Sequence, residues 1–186
     1  MTIPNWNDFL TNTAIVSGTY IVLVELSLWL VLPVQQWVIS SYSSHVLLLY
    51  LPFGVRVLSA WLFGWWSFAY LLPGHILAQM SFWGSDGFTG MLALSIFTGC
   101  AVGSLGVSLA TIMRDRLNVV FLNKDWKFIM FSGVLASIAN STLNTAIHGP
   151  SNTSTIAYLI GDIFGLWFLM LALIFIVKMR DMNIRL

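Results

Sequence analysis

Long apolar stretches, rather than any single motif, limit what this chain can fold into. A helix needs roughly 20 mostly apolar residues to cross the hydrocarbon core of a bilayer. Stretches of about that length occupy residues 14–33, 88–112, 127–147 and 155–177, and a longer one runs from residue 44 to 82. Membrane-spanning backbone must form its own hydrogen bonds, and the alternating ten-residue strand pattern of a membrane barrel is missing from the sequence. The sequence therefore predicts an all-α integral membrane protein, and no domain boundary interrupts residues 1–186.

The scarcity of charged residues points the same way. Of 186 residues, eight are Lys or Arg and seven are Asp or Glu, so 8% are charged. A soluble domain usually carries about a quarter charged residues. This composition excludes a soluble enzyme and a disordered segment, and a net charge of +1 lacks the basic excess of a nucleic-acid binder. The single cysteine, Cys100, excludes a disulfide framework and a thiol metal site.

The apolar stretch from residue 44 to 82 is too long for one crossing. Gly64-Trp65-Trp66 lies near its middle, and aromatic side chains favour the membrane interface. We expect a tight hairpin there, between short spans at residues 45–63 and 66–82. The whole chain then forms a bundle of six transmembrane helices. The alternative is a bundle of five, with residues 37–56 re-entrant or lying at the interface.

The distribution of basic residues predicts the orientation. One basic group lies between the fourth and fifth spans and another follows the sixth: Arg114, Arg116, Lys124 and Lys127, then Lys178, Arg180 and Arg185. Cytoplasmic loops carry an excess of Lys and Arg, so both groups are expected in the cytoplasm. With six spans the N- and C-termini are both cytoplasmic, and the loops at 83–87 and 148–154 face outward. The first span lacks the features of a cleaved signal peptide and should stay attached.

Three ionisable residues fall inside the apolar spans: Glu25 in the first, Arg56 in the second and Asp162 in the sixth. Charge at membrane depth is costly and usually faces the bundle interior or a cavity. One cation and two carboxyl groups predict that Arg56 pairs with at least one of the carboxyl groups. For this set we favour a functional role over a packing role.

Polar residues recur at helical spacing in several spans. The fifth span has Ser137, Asn140 and Asn144 on one face, whereas Tyr158 and Asp162 share a face of the sixth. Six polar residues then fall in the outer half of the six-span bundle: His75 and Gln79 of the third span, Asn140, Asn144, Tyr158 and Asp162. The sequence thus predicts an outward-facing polar pocket whose ligand-binding residues are Glu25, Arg56, His75, Gln79, Asn140, Asn144, Tyr158 and Asp162. The alternative for the fifth span is a structural role, because Ser and Asn commonly join membrane helices.

Two small-residue motifs, Gly99-x-x-x-Gly103 and Gly161-x-x-x-Gly165, let helices approach closely and are expected to serve internal packing. Sequence signatures of catalysis are missing: there is no Gly-rich phosphate loop, no GxSxG motif and no Cys–His pair. The three histidines are not spaced as metal ligands. We therefore expect no enzyme, no catalytic residue and no metal site, and the sequence leaves any cofactor unknown.

Two segments carry a family resemblance. The stretch from Leu51-Pro-Phe-Gly to Phe63-Gly64, followed by Leu71-Leu-Pro-Gly74, resembles the opening of the first class of bacterial membrane-associated sensor domains. Ile160-Gly-Asp-Ile-Phe-Gly165 resembles a later Gly-Asp-x-x-Gly helix of that family. Family members usually have more spans and lead into a cytoplasmic kinase or cyclase domain, which this sequence lacks. The resemblance implies a sensory or interaction module in a bacterial inner membrane that binds a small ligand, an ion or a partner and signals through a protein partner.

Two other functions stay open. Six short helices with cytoplasmic termini and an outward pocket resemble the substrate-binding subunits of energy-coupling vitamin transporters, in which small residues of the first helix contact a partner. Ala14-x-x-x-Gly18 could serve that purpose here. The other alternative is a structural accessory subunit of a larger membrane complex. The expected partners are the lipid bilayer, a membrane protein and a small-molecule ligand, but no nucleic acid.

Overall fold

Six helices make up nearly all of the part of the chain that the structure, a computed structural model, describes. That part comprises residues 4–38, 47–83, 89–118, 125–149 and 152–184, and it contains no strand. The helices are α1 (Trp6–Val38), α2 (Pro52–Phe63), α3 (Trp66–Trp83), α4 (Gly90–Leu117), α5 (Asp125–His148) and α6 (Asn152–Ile184). The predicted all-α architecture is confirmed.

Several sequence predictions fall outside the described residues. They concern the start of the span predicted at 45–63, Lys124, Arg185, residues 84–87 of the first outer loop and residues 150–151 of the second. The second loop is shorter than predicted, because α6 already begins at Asn152.

Three of the described helices are long and apolar enough to cross a membrane: Trp6–Val38, Gly90–Leu117 and Thr155–Arg180. Their outer surfaces carry large exposed apolar side chains, which suit contact with lipid, such as Trp29, Trp37, Phe97, Leu109, Trp167 and Phe175. The helix α2 has 12 residues, or about 18 Å of rise, which is short of a hydrocarbon core of about 30 Å. In α3 and α5, polar residues such as His75, Gln79, Asn140 and Asn144 dilute the apolar character. Length and composition therefore identify three candidate crossings among the described helices, and the predicted bundle of six stays a prediction.

The predicted second span, residues 45–63, is wrong in its helical extent. The described helix begins only at Pro52, and residues 47–51 are not helical. Proline suits the first turn of a helix because its fixed φ matches the helix and its missing N–H needs no partner there. Non-helical backbone at membrane depth is tolerated where protein groups satisfy it. Here the Leu48 N–H donates to Gln35 Oε1 at 2.8 Å, and the Tyr50 N–H donates to the Gly161 carbonyl at 3.0 Å.

The glycines of the second small-residue motif make room for this non-helical segment. A Cβ on Gly161 would collide with the carbonyl oxygen of Leu47, and a Cβ on Gly165 would collide with that of Tyr50. The motif therefore serves internal packing, as predicted. It brings residues 47–51 against the backbone of α6.

The predicted hairpin at Gly64 is present. Helix α2 ends at Phe63, and α3 begins at Trp66. Gly64 has φ 60° and ψ −134°, a conformation that side chains disfavour, and its N–H donates to the Ala60 carbonyl at 2.8 Å. Ser104 of α4 secures the turn: its Oγ lies 2.9 Å from Ser67 Oγ and donates to the Gly64 carbonyl at 3.3 Å.

Helix α2 lies at the centre of the bundle. Phe53, Val57 and Ala60 have no exposed surface, and α2 contacts α1, α3, α4, α5 and α6. Helices α4 and α5 are antiparallel, since Arg114 near the end of α4 lies over the Phe128 ring at the start of α5. Helices α5 and α6 are also antiparallel, since Thr145 near the end of α5 contacts Thr155 at the start of α6. Arg56, in the second turn of α2, is consequently held inside the bundle.

Candidate ligand-binding site

A cavity of about 640 Å³ lies at one end of the bundle. It is bounded by the non-helical segment before α2, by the first halves of α2, α4 and α6, and by the second halves of α3 and α5. Its polar lining consists of Tyr50, Arg56, His75, Gln79, Thr89, Ser95, Asn140, Asn144, Tyr158 and Asp162, and its apolar lining includes Leu47, Met91 and Leu92.

Seven of the eight residues predicted from the sequence line this cavity: Arg56, His75, Gln79, Asn140, Asn144, Tyr158 and Asp162. Glu25 does not, and its assignment to the pocket is wrong. Its Oε2 accepts a hydrogen bond of 3.0 Å from Nε1 of Trp29, which is 80% exposed. Val22, one turn earlier, is also exposed, so Glu25 lies on the outer side of α1. Helical spacing alone did not reveal which face of α1 turns inward.

The cavity and the basic residues lie at opposite ends of the helices that carry both. The helix α4 contributes its first turns, from Met91 to Gly99, whereas Arg114 and Arg116 are in its last turn. Asn140 and Asn144 lie towards the end of α5, far from Lys127 in its first turn. Asp162 belongs to the first half of α6, and Lys178 and Arg180 to its second. In each of these three helices, the cavity residues and the basic residues therefore lie towards opposite ends.

The guanidinium group of Arg56 is buried and contacts two tyrosines. Nη2 donates to Tyr20 Oη at 3.0 Å and to Tyr50 Oη at 3.2 Å, and the two hydroxyl oxygens lie 3.0 Å apart. The guanidinium carbon lies 5.6 Å and 5.3 Å from the two ring centroids, within the range of cation–π attraction. Arg56 Nε is buried without a hydrogen-bond partner.

The predicted ion pair of Arg56 does not form. Within the described residues, the only ion pair is that of Arg114 with Asp115 at 3.0 Å, on the surface. Phenol hydroxyls can accept hydrogen bonds from a guanidinium group, but they do not neutralise its charge. Within the described residues, Arg56 therefore donates hydrogen bonds to two neutral side chains, and no carboxylate lies within ion-pair distance of it.

The first small-residue motif places α4 against Arg56. A Cβ on Gly103 would collide with the Arg56 carbonyl oxygen, so only glycine allows this approach. A Cβ on Gly99 would lie 3.1 Å from His75 Nε2 and 3.6 Å from the guanidinium carbon of Arg56. The motif serves internal packing, as predicted, and it also shapes the wall of the cavity.

His75 is buried beside Arg56. Its ring stacks on that of Tyr20, with centroids 4.1 Å apart and an interplanar angle of 19°. The Leu71 carbonyl, one turn earlier, lies near the ring, but neither ring nitrogen has a partner with hydrogen-bond geometry. His75 is 2% exposed and lines the cavity. A buried imidazole without partners is costly, so this site has unused hydrogen-bonding capacity.

A hydroxyl of α1 sets the backbone just before His75. Pro73 lies inside α3, and Ser17 Oγ accepts from the Gly74 N–H at 2.9 Å while donating to the Tyr70 carbonyl at 2.6 Å. Gly74 N–H and the Tyr70 carbonyl are an i, i−4 pair of the helix, so the inserted hydroxyl of α1 bonds to both members of that pair. The α1–α3 contact therefore fixes the turn that presents His75.

Asp162 is held by α5. Its Oδ2 accepts from Asn140 Nδ2 at 2.7 Å, and Asn140 in turn accepts from Asn144 Nδ2 at 3.0 Å. Ser137 donates to the Leu159 carbonyl at 3.2 Å and makes only a long 3.5 Å contact with Asp162. In the part of the chain that is described, no hydrogen bond reaches Oδ1. The predicted polar face of α5 thus positions a carboxyl group whose second oxygen is unoccupied.

Sequence reasoning missed Tyr20 and Tyr50. Tyr20 follows Ser17 at the spacing of one helical turn on the buried face of α1, and that spacing was its only signal. Tyr50 precedes α2 in the non-helical segment, where no periodicity exists.

The assembled site can bind and orient a polar molecule. No group of three His, Cys, Asp or Glu residues suited to a metal ion occurs in the described ranges. Comparisons with protein-family models, curated proteins and solved structures give no match, so the two family resemblances rest on sequence motifs alone.

Proposed function

We propose that this protein is a membrane-embedded sensory module that binds a small polar molecule in the cavity beside Arg56. The observation that carries the proposal is the separation of Arg56 and Asp162 on the walls of one cavity. A buried charge without a partner is strongly destabilising, whereas a structural ion pair would bring the two groups into contact. A ligand that pairs with both groups explains why an arginine and an aspartate occupy these buried positions.

The topology of the proposal is that predicted from the sequence: six crossings, with both termini in the cytoplasm of a bacterium. The separation of the cavity from Arg114, Arg116 and Lys127 supports an outward opening, since cytoplasmic ends are the basic ones. In this arrangement residues 47–51 and α2 form one broken crossing. Discontinuous helices of this kind frequently build binding sites in membrane proteins.

The packing of α2 suggests how binding is transmitted. Arg56 is on α2, Asp162 is on α6, and the segment that precedes α2 rests on Gly161 and Gly165 of α6. A molecule that contacts both charged groups binds best at one relative position of α2 and α6. Binding therefore shifts the equilibrium between different relative positions of these two helices. Helix α6 continues to Lys178 and Arg180, so its displacement would reach a protein partner at the cytoplasmic end.

Native mass spectrometry of protein extracted gently from its source membrane tests this function. We expect a small molecule in one-to-one stoichiometry, lost on Arg56→Gln and kept in Arg116→Gln, which alters an exposed residue outside the cavity. Ligand-free protein held in a defined assembly would overturn the proposal in favour of a structural accessory subunit.

One observation favours the substrate-binding subunit of an importer as a second candidate. Ala14 is exposed, and a Cβ on Gly18 would meet nothing within 4 Å, so this face of α1 is open to a partner helix. For an importer, Gly18→Leu should abolish cellular uptake of the bound molecule while its binding to the purified protein persists. For a sensory module, cells show no uptake that depends on this protein.

A further inference from the structure

We infer that the molecule bound in this cavity is amphoteric, with an anionic group at Arg56 and a hydrogen-bond donor, such as an ammonium group, at Asp162. This inference rests on the proposed ligand-binding function and specifies its ligand class.

The Arg56 side of the cavity has the features of an oxyanion site. Arg56 and His75 are 7% and 2% exposed, and Arg56 Nε and both His75 ring nitrogens lack hydrogen-bond partners. Both side chains border the same point on α4, Gly99. A guanidinium fork matches the two oxygens of a carboxylate or phosphate, and a neutral imidazole can add one N–H donor.

The beginning of α2 strengthens this side. Pro52 starts the helix two residues after the cavity-lining Tyr50, and Arg56 follows one turn later. The N-terminal end of a helix carries a partial positive charge that favours anions. The N–H groups of Phe53 and Gly54 already donate to the Tyr50 and Leu51 carbonyls, so this end contributes through its partial charge and not through free N–H donors.

The Asp162 side requires the opposite chemistry. Asn140 occupies Oδ2, and Oδ1 is left as an acceptor for a donor from the ligand. A simple anion would pair with Arg56 and leave Oδ1 of Asp162 without a donor. A simple amine would donate to Oδ1 of Asp162 and leave Arg56 Nε without an acceptor. A molecule with both groups supplies both partners.

The cavity volume limits the size of the molecule. About 640 Å³ falls within the roughly 300–1,000 Å³ of small-molecule sites. Two sources supply this chemistry at a membrane: a free amphoteric metabolite, or the headgroup of a phospholipid such as phosphatidylethanolamine. Leu47, Met91 and Leu92 provide apolar wall for the remainder of either molecule.

Matched probes test the inference by thermal stability of the full chain in detergent. Each set contains an amino acid, the acid that lacks its amine and the amine that lacks its carboxylate; phenylalanine, 3-phenylpropanoate and 2-phenylethylamine form one set. Lipid binding is tested separately, with the protein in nanodiscs of phosphatidylethanolamine or of phosphatidylglycerol. Native mass spectrometry then measures which lipid the protein retains. We expect an amphoteric probe, or phosphatidylethanolamine, to bind at least about tenfold more tightly than its singly charged counterparts, a difference of about 1.4 kcal/mol.

The two sources give different results. Stabilisation by an amino acid identifies a free metabolite, whereas selective retention of phosphatidylethanolamine identifies a headgroup. Equal binding of the acid and the amino acid, or of the amine and the amino acid, would overturn the amphoteric class. Retention of a neutral molecule alone would overturn the class but leave the proposed function standing, and binding of nothing in any arm would overturn both.

Two conservative variants separate binding from folding. Asp162→Asn keeps the shape and the Asn140 contact but removes the charge, so binding of the amphoteric probe should weaken at least about tenfold and that of the matched acid should not. Arg56→Lys keeps the positive charge but loses the paired N–H donors with which a guanidinium group binds two oxygens at once. Glu25→Gln, a carboxyl change outside the cavity, should leave every probe unaffected. If Asp162→Asn weakens the acid and the amino acid equally, the assignment of the donor end is wrong.

Discussion

Nη2 of Arg56 donates to the Tyr20 hydroxyl at 3.0 Å, although carboxyl groups were available in the sequence for an ion pair. The Tyr20 ring also stacks on His75, so this one side chain contacts both Arg56 and His75 at the cavity. A cation solvated by phenols stays available to an incoming anion.

Tyr20→Phe should lower stability and leave the stacked ring in place. The variant removes one acceptor from a buried guanidinium group, and such a loss typically costs about 1–3 kcal/mol. Unfolding in detergent measures the change. Since Tyr20 and Tyr50 share Nη2, the double variant Tyr20→Phe/Tyr50→Phe should deviate from the sum of the single variants. Strict additivity would contradict a shared interaction.

Gly103→Ala should separate α4 from α2. Its new methyl group would collide with the Arg56 carbonyl oxygen, and overpacking of this kind costs about 1–3 kcal/mol. Gly90→Ala is the matched control on the same helix, because a Cβ there meets nothing within 4 Å. Thermal denaturation of both variants checks this. Equal effects of the two substitutions would show that the change in stability comes from helix propensity and not from the close approach of α4 to the Arg56 backbone.

Ser17→Ala should destabilise the α1–α3 contact. It removes two buried hydrogen bonds, one from Gly74 N–H and one to the Tyr70 carbonyl, each typically worth about 0.5–1.5 kcal/mol. Ser81→Ala, which removes an exposed hydroxyl bonded only to its own helix, should stay within about 0.5 kcal/mol. Chemical unfolding in detergent distinguishes the two, and a neutral Ser17→Ala would refute the role of the inserted hydroxyl.

Gln35→Leu should loosen the non-helical segment before α2. The Gln35 side chain accepts from the Leu48 N–H, whereas the neighbouring Gln36 is exposed. Hydrogen exchange at residues 47–51 is the measurement, since loss of the acceptor should speed exchange there without affecting α5. Gln36→Leu is the control and should leave this exchange unchanged. Unaltered exchange in Gln35→Leu would show that the Gly161 carbonyl suffices to hold the segment.

The polar face of α5 illustrates what spacing can predict. Asn140 and Asn144 recur at helical spacing, so their shared face followed from geometry, and the structure places both at the cavity. Glu25 illustrates the limit. Its helix is apolar on nearly every side, so no amphipathic pattern indicated which side faces lipid, and the structure turns Glu25 outward against Trp29.

The sequence predicted the ends of α2 but not the structure of the residues just before it. Pro52 and Gly64 marked the ends of α2, but the apolar residues before Pro52 gave no sign that their backbone bonds to Gln35 and Gly161 rather than within a helix. Such partners are distant in sequence, and their contacts depend on how α1 and α6 are placed.

The sequence by itself determined that this chain is helical and suited to a membrane, because apolar length and scarce charge act locally along the chain. It also determined which residues share a helix face, since that depends only on 3.6 residues per turn. Only the tertiary structure decided that Arg56 meets Tyr20 and Tyr50 instead of a carboxyl group. Partner choice depends on the rotation and depth of each helix, and these are set by close approaches such as that of Gly103 to the Arg56 backbone.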